Sequence, residues 1–130
     1  MQIPKKLFNV RNLATQALQR APSARYCVIK HGSRAEAITL HIGEALTVSA
    51  ANVPDVFDEA QVASDLQTNP LIVNGELYQF DGYREEYMYL YSPLNETKSA
   101  LVRVYEEYRV LLVLCFAEEK HMLLEMDKVT

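Results

Sequence analysis

Residues 99–116, SALVRVYEEYRVLLVLCF, constrain this chain more than any other stretch. Seven apolar residues follow Arg109 without a break. Successive strand side chains take opposite faces. Val110, Leu112, Leu114 and Phe116 therefore point one way, and Leu111, Val113 and Cys115 the other. A strand that is apolar on both faces belongs in the middle of a sheet covered on both sides. The run is too short to cross a bilayer as a helix. The milder segment before it alternates too, with Ala100, Val102 and Val104 against Leu101, Arg103 and Tyr105. The two predict a β-hairpin turning at Glu106 and Glu107. That pair lacks the Asn or Gly of a tight two-residue turn, so a slipped register or a longer loop is the alternative.

The remaining segments supply strands beside that hairpin and helices over it. Val10, Leu13, Ala14, Ala17 and Leu18 recur at helical spacing. Asn9 is the expected cap, Phe8 and Leu13 the staple, and Ala21, Pro22 and Ser23 the stop. Residues 25–31 alternate as a strand, Tyr26, Val28 and Lys30 against Cys27, Ile29 and His31. A turn at 31–34 leads to a return over 36–42, with Ile38, Leu40 and Ile42 in phase, and Gly43 and Glu44 mark a further turn or bulge before 45–49. A second helix is expected over 52–66, capped by Asn52, with Pro54 tolerated in its first turn. Its buried stripe would be Val53, Val56, Phe57, Ala60, Ala63 and Leu66, and Asn69 and Pro70 would stop it. Asn74 and Gly75 are the strongest hairpin signal, pairing 71–73 with 77–80. Asp81 and Gly82 read as another turn, and 85–91 as a strand with Tyr87, Tyr89 and Tyr91 on one face and Met88 and Leu90 on the other. Met122, Leu123, Leu124 and Met126 close the chain as a strand or a short helical turn.

At 130 residues the chain is read as one domain, residues 1–130, with enough length for a core. Its net charge of -4 is uneven. Residues 1–70 hold seven basic and six acidic side chains, and 71–130 six and eleven. An acidic second half argues against nucleic acid, which selects a basic patch, and against an anionic membrane surface. With no export signal and no apolar span, a cytoplasmic location without membrane insertion is expected. Cys27 and Cys115 lie in apolar strand-like segments. Buried free thiols in a reducing compartment are expected, with a bridge between two strands as the alternative.

Chemistry-bearing patterns are weak. His31, His41 and His121 fall in no metal-ligand spacing, and the scattered glycines form no phosphate cradle. The pairs Glu85–Glu86, Glu106–Glu107 and Glu118–Glu119 sit at strand ends, where neighbours face opposite ways, unlike the paired carboxylates of a glycosidase. No metal and no cofactor is expected. A thiol enzyme using Cys27 with His31 or His41 is the alternative to a protein with no catalytic role.

Tyrosine is the unusual feature: the chain has eight and no tryptophan, and five of them fall within residues 78–91. A large ring with a polar tip suits a contact surface that is wet at its rim, and equally a half-buried strand. The expected interface is Tyr83, Tyr87, Tyr89 and Tyr91, with Tyr105 and Tyr108 beside them.

The order helix, hairpin, helix, then a run of antiparallel strands resembles profilin. The likeness is carried by Asn69 and Pro70, by Gly75, Glu76, Leu77 and Tyr78, by the strand of Tyr87, Tyr89 and Tyr91, and by 110–116. The roadblock family has a similar layout. The profilin resemblance implies binding of actin monomers and a cytoskeletal role. This sequence departs from profilin in lacking tryptophan, which that family uses to hold polyproline. Only fourteen residues follow Phe116, too few for the long last helix of either family, and a sheet face left bare would be covered by self-association or by a partner. The expected fold class is therefore α+β, profilin-like or roadblock-like, with about five to seven antiparallel strands and helices over 10–20 and 54–66 against them. The expected role is a non-catalytic interaction or scaffold subunit that self-associates or holds a protein partner, with actin the partner implied by the resemblance.

Overall fold

The structure, a computed structural model, describes residues 10–21, 23–31, 34–38, 50–84, 87–95 and 97–118. The expected Asn9 cap and Phe8 staple, the phased Leu40 and Ile42, His41, the features over 43–49, Glu85 and Glu86, and the closing segment from Met122 lie outside those residues.

The elements in order are α1 (Val10–Arg20), β1 (Ala24–His31), β2 (Arg34–Ile38), β3 (Ala50–Ala51), α2 (Glu59–Thr68), β4 (Leu71–Val73), β5 (Glu76–Arg84), β6 (Tyr87–Tyr91), β7 (Ser99–Tyr105) and β8 (Val110–Phe116). The strands form one sheet in the order β2-β1-β8-β7-β6-β5-β4-β3, and every neighbouring pair is antiparallel. Seven strands have three residues or more, and β3 is a two-residue edge beside β4. The class is α+β, built on an antiparallel sheet with two α-helices among the described residues.

β8 lies between β1 and β7, and all seven of its residues are buried. Its alternation divides the core in two. Val110, Leu112, Leu114 and Phe116 join Cys27, Ile29 and Leu101 under Ala17, Leu18 and Ala21 at the end of α1. Leu111, Val113 and Cys115 join Val28, Ala100, Val102, Met88 and Leu90 under Val62, Ala63 and Leu66 of α2. One helix covers each face, as a strand apolar on both sides requires.

α2 begins later than its sequence suggests. Asn52 has φ 61 and donates its side-chain amide to the Pro70 carbonyl at 3.1 Å, so it caps nothing. Asp58 is the cap, its carboxylate accepting from the Gln61 N–H at 3.0 Å. Asp is a strong N-cap, and Gln three residues on completes a capping-box spacing. Residues 53–57 run before the helix, where Val53, Val56 and Phe57 pack against the core without being helical. Val62 is buried, whereas Ala60, expected in the stripe, is exposed.

The approach segment is tied down by Lys30. This buried residue of β1 donates from Nζ to the Pro54 carbonyl at 3.1 Å and pairs with the Asp55 carboxylate at 3.0 Å. Removing the ammonium strands a carbonyl in a dry site, at a cost of about 1–3 kcal/mol. Urea denaturation is expected to show Lys30→Met destabilised by that amount. Asp55→Asn should stay within about 0.5 kcal/mol, because the carboxylate end of the pair is solvated.

The turns follow backbone chemistry. Asn74 (φ 52) and Gly75 (φ 80) both take the left-handed region that a tight hairpin turn demands, and Val73 pairs with Glu76 across them. Asp81 and Gly82, expected as a turn, lie inside β5. The pairing with β6 shifts register between Phe80 and Tyr83, and Gly82 has φ 121, so the strand bulges and continues. The connection from β7 to β8 is the longer alternative. A 3-10 turn over Glu106–Tyr108 leads to Arg109 in the left-handed region, and Tyr105 pairs with Val110.

Candidate protein-interaction surface

Strand alternation and register decide where the tyrosines go. Tyr87, Tyr89 and Tyr91 of β6 share the α1 face with Tyr105 of β7 and Tyr108 of the turn. Tyr89 lies opposite Leu101, and Tyr91 opposite Ser99. Two arginines stack on this row. The Arg84 guanidinium lies 5.3 Å from the Tyr89 ring centre, and that of Arg103 lies 5.6 Å from Tyr87 and 4.8 Å from Tyr105. Such contacts are worth about 0.5–2 kcal/mol each, more where water is excluded. Tyr91 donates its hydroxyl to the Gln79 side-chain oxygen at 3.0 Å, directly across the strands.

The expected six-residue surface is corrected in two respects. Tyr87 and Tyr89 are 1% and 5% exposed, so they belong to the core and cannot be contacted from outside without rearrangement. Their strand lies inside the sheet, and both of its faces are covered. Tyr83 is 48% exposed but sits on the other face, because the bulge places it opposite Met88 and against Phe80, ring centres 5.6 Å apart and nearly perpendicular. The structure thus places the half-buried Tyr105 and Tyr108 at one end of this row and Tyr91, opposite Ser99, at the other end of β7, with the buried Tyr87 and Tyr89 between them, and it separates Tyr83 from all of these.

The neighbourhood of Tyr108 holds contacts that pattern reading missed. The Glu106 carboxylate accepts from the Glu59 N–H at 2.9 Å, and Arg109 lies 5.2 Å from the Phe57 ring centre. The turn of the central hairpin is thereby clamped to the start of α2. An acidic group belongs at a helix N-terminus, but nothing local in the sequence joins residues 47 positions apart.

The thiols are placed for packing. Cys27 lies opposite Leu114, and its side chain faces α1, whereas that of Cys115 faces α2. Both are free and buried, and their opposed faces exclude the inter-strand bridge. Burial drives the Cys27 thiol well above its ordinary range, with Cys115 adding to the shift and a backbone hydrogen bond from Val113 opposing it. Burial pushes Cys115 up to about 12, against a hydrogen bond with the Tyr78 side chain. A buried, protonated thiol is a poor nucleophile.

These shifts carry a pH dependence. The folded pKa is raised, so each thiol's contribution is fully present below the ordinary value of 9.0 and is lost as pH rises towards the folded value. Between about pH 9 and 12 each protonated thiol should cost about 1.4 kcal/mol of stability per pH unit. Urea midpoints from pH 7 to 11 are expected to fall less steeply above pH 9 for Cys115→Ala than for the parent.

Among the described residues no group of three His, Cys, Asp or Glu side chains is placed to hold a metal ion. An open depression of about 490 Å³ lies along α2, lined by Asp55, Val56, Gln61, Ser64, Asp65, Thr68 and Asn69. No Lys, Arg or His is among these lining residues. No helix among the described residues is long and apolar enough to cross a membrane. Comparison with known proteins returns no match to a family model, a curated protein or a solved structure.

Proposed function

We propose that this protein is a non-catalytic subunit that works by protein contact, through the half-buried tyrosines at the rim of the α1 face. The observation that carries this reading is the half-buried Tyr105 and Tyr108 at one end of a row that runs through the buried Tyr87 and Tyr89 to Tyr91 at the other, with Arg103 stacked between Tyr87 and Tyr105. Partly buried tyrosines held by packed neighbours bind at low entropic cost, and Tyr and Arg are the residues on which interface energy concentrates. The acidic second half of the chain suits a basic or neutral partner. A thiol mechanism at Cys27 has no support in a nucleophile that is 0% exposed and held protonated.

The test is affinity capture from lysate with the parent and with Tyr105→Ser/Tyr108→Ser, the bound proteins being identified by mass spectrometry. A partner retained by the parent and lost by the variant is the expected result. If that partner is actin, the role implied by the profilin resemblance follows. Retention of nothing specific, or of the same proteins by both, overturns the reading.

A further inference from the structure

β5 pairs with β6 over 79–84, and on its other side, among the described residues, it pairs with β4 only over 76–78. The β4 ladder ends where Leu71 meets Tyr78, and the residue before Leu71 is Pro70, which has no N–H to continue it. Among the described residues no strand pairs with 79–84 on that side. Asp81, Tyr83 and Arg84 are exposed there. A bare edge of this kind is a template for another strand.

We infer that this part of β5, residues 79–84, pairs antiparallel with the same segment of a second copy of the chain, about a two-fold axis between Gly82 and Tyr83. The inference rests on the protein-contact reading and adds the partner at a separate edge. Self-complementarity selects a second copy over any other strand. In that register Asp81 stands opposite Arg84 of the second copy, and Arg84 opposite its Asp81, giving two ion pairs from one contact. Both side chains point to the α1 face. Arg84 stacks on Tyr89 there, and Asp81, next to Phe80 in the strand, takes the face opposite to that ring. Gly82 stands opposite Tyr83, so the exposed ring covers a position with no side chain of its own, and twice by symmetry. The bulge that shifts Phe80 and Tyr83 onto one face is what brings Asp81 and Arg84 onto the other. Directly opposite strand residues are close enough for an ion pair, and like charges there repel.

Sedimentation velocity on the full chain over a concentration series reads the prediction, with circular dichroism confirming that each variant is folded. The parent is expected to show a monomer–dimer equilibrium. Asp81→Arg and Arg84→Asp, each placing like charges opposite one another, should weaken it by about tenfold or more. The double variant D81R/R84D should restore it. If Arg84→Asp loses its fold along with its stack on Tyr89, Asp81→Arg alone decides. A parent that stays monomeric, or a dimer indifferent to Asp81→Arg, overturns the inference. Either result leaves the contact reading standing when a partner is still captured through Tyr105 and Tyr108. Loss of that partner with the dimer intact does the reverse.

Discussion

Leu114→Asp is expected to leave the chain without a cooperative unfolding transition. Leu114 is 0% exposed at the centre of β8, with Cys27 and Leu101 opposite it on the two neighbouring strands, both apolar and both fully buried. Loss of the leucine packing alone costs about 2–5 kcal/mol. An unpaired carboxylate in that site adds several more, or takes up a proton at comparable expense. The sum is of the order of the whole stability of a small domain, about 5–15 kcal/mol. Leu112→Asp should also unfold the chain, though it is the milder variant, because Arg103 stands opposite position 112 on β7. Glu107→Ala, in the exposed turn, should change stability by less than about 0.5 kcal/mol. Urea titrations followed by circular dichroism separate the three. A cooperative Leu114→Asp transition close to that of the parent would mean that β8 is not the central strand.

What was legible in the sequence was alternation and local turn chemistry. Residues 110–116 announced both faces of the core, and the faces observed are the faces read. Asn74 and Gly75 announced their hairpin because only a few residue types accept two successive left-handed positions. What failed depended on competition between local signals or on distance in the chain. Asn52 resembles a cap, yet Asp58 with Gln61 makes the better one, and the Lys30 contacts hold 54–55 in a non-helical path. Asp81 and Gly82 resemble a turn, but the same conformational freedom of glycine serves a bulge where β6 pairs with β5 both before and after it. Lys30 shares parity with Val28, so its place on a covered face was visible in the pattern, but its partners at 54 and 55 were not.

The tyrosines show why composition does not fix a surface, and they set the second large effect. Tyr89→Ala is expected to destabilise the fold by about 3–5 kcal/mol, as for the loss of any large buried ring. The ring is 5% exposed, packs in the α1-side core and carries Arg84 across its face, so truncation leaves a cavity and an unstacked guanidinium. Tyr83→Ala removes a ring that is 48% exposed and touches Phe80 edge-on, and should cost no more than about 1.5 kcal/mol. Five tyrosines within residues 78–91 look alike in sequence, but register makes one of these two a core residue and the other a surface residue. A binding defect in Tyr89→Ala would therefore report lost structure before lost contact, whereas defects from Tyr105→Ser or Tyr108→Ser concern rings that solvent already reaches. Thermal melts of Tyr89→Ala and Tyr83→Ala, run beside the parent, give the ordering directly. Equal stabilities for the two would place Tyr89 at the surface and return it to the contact residues.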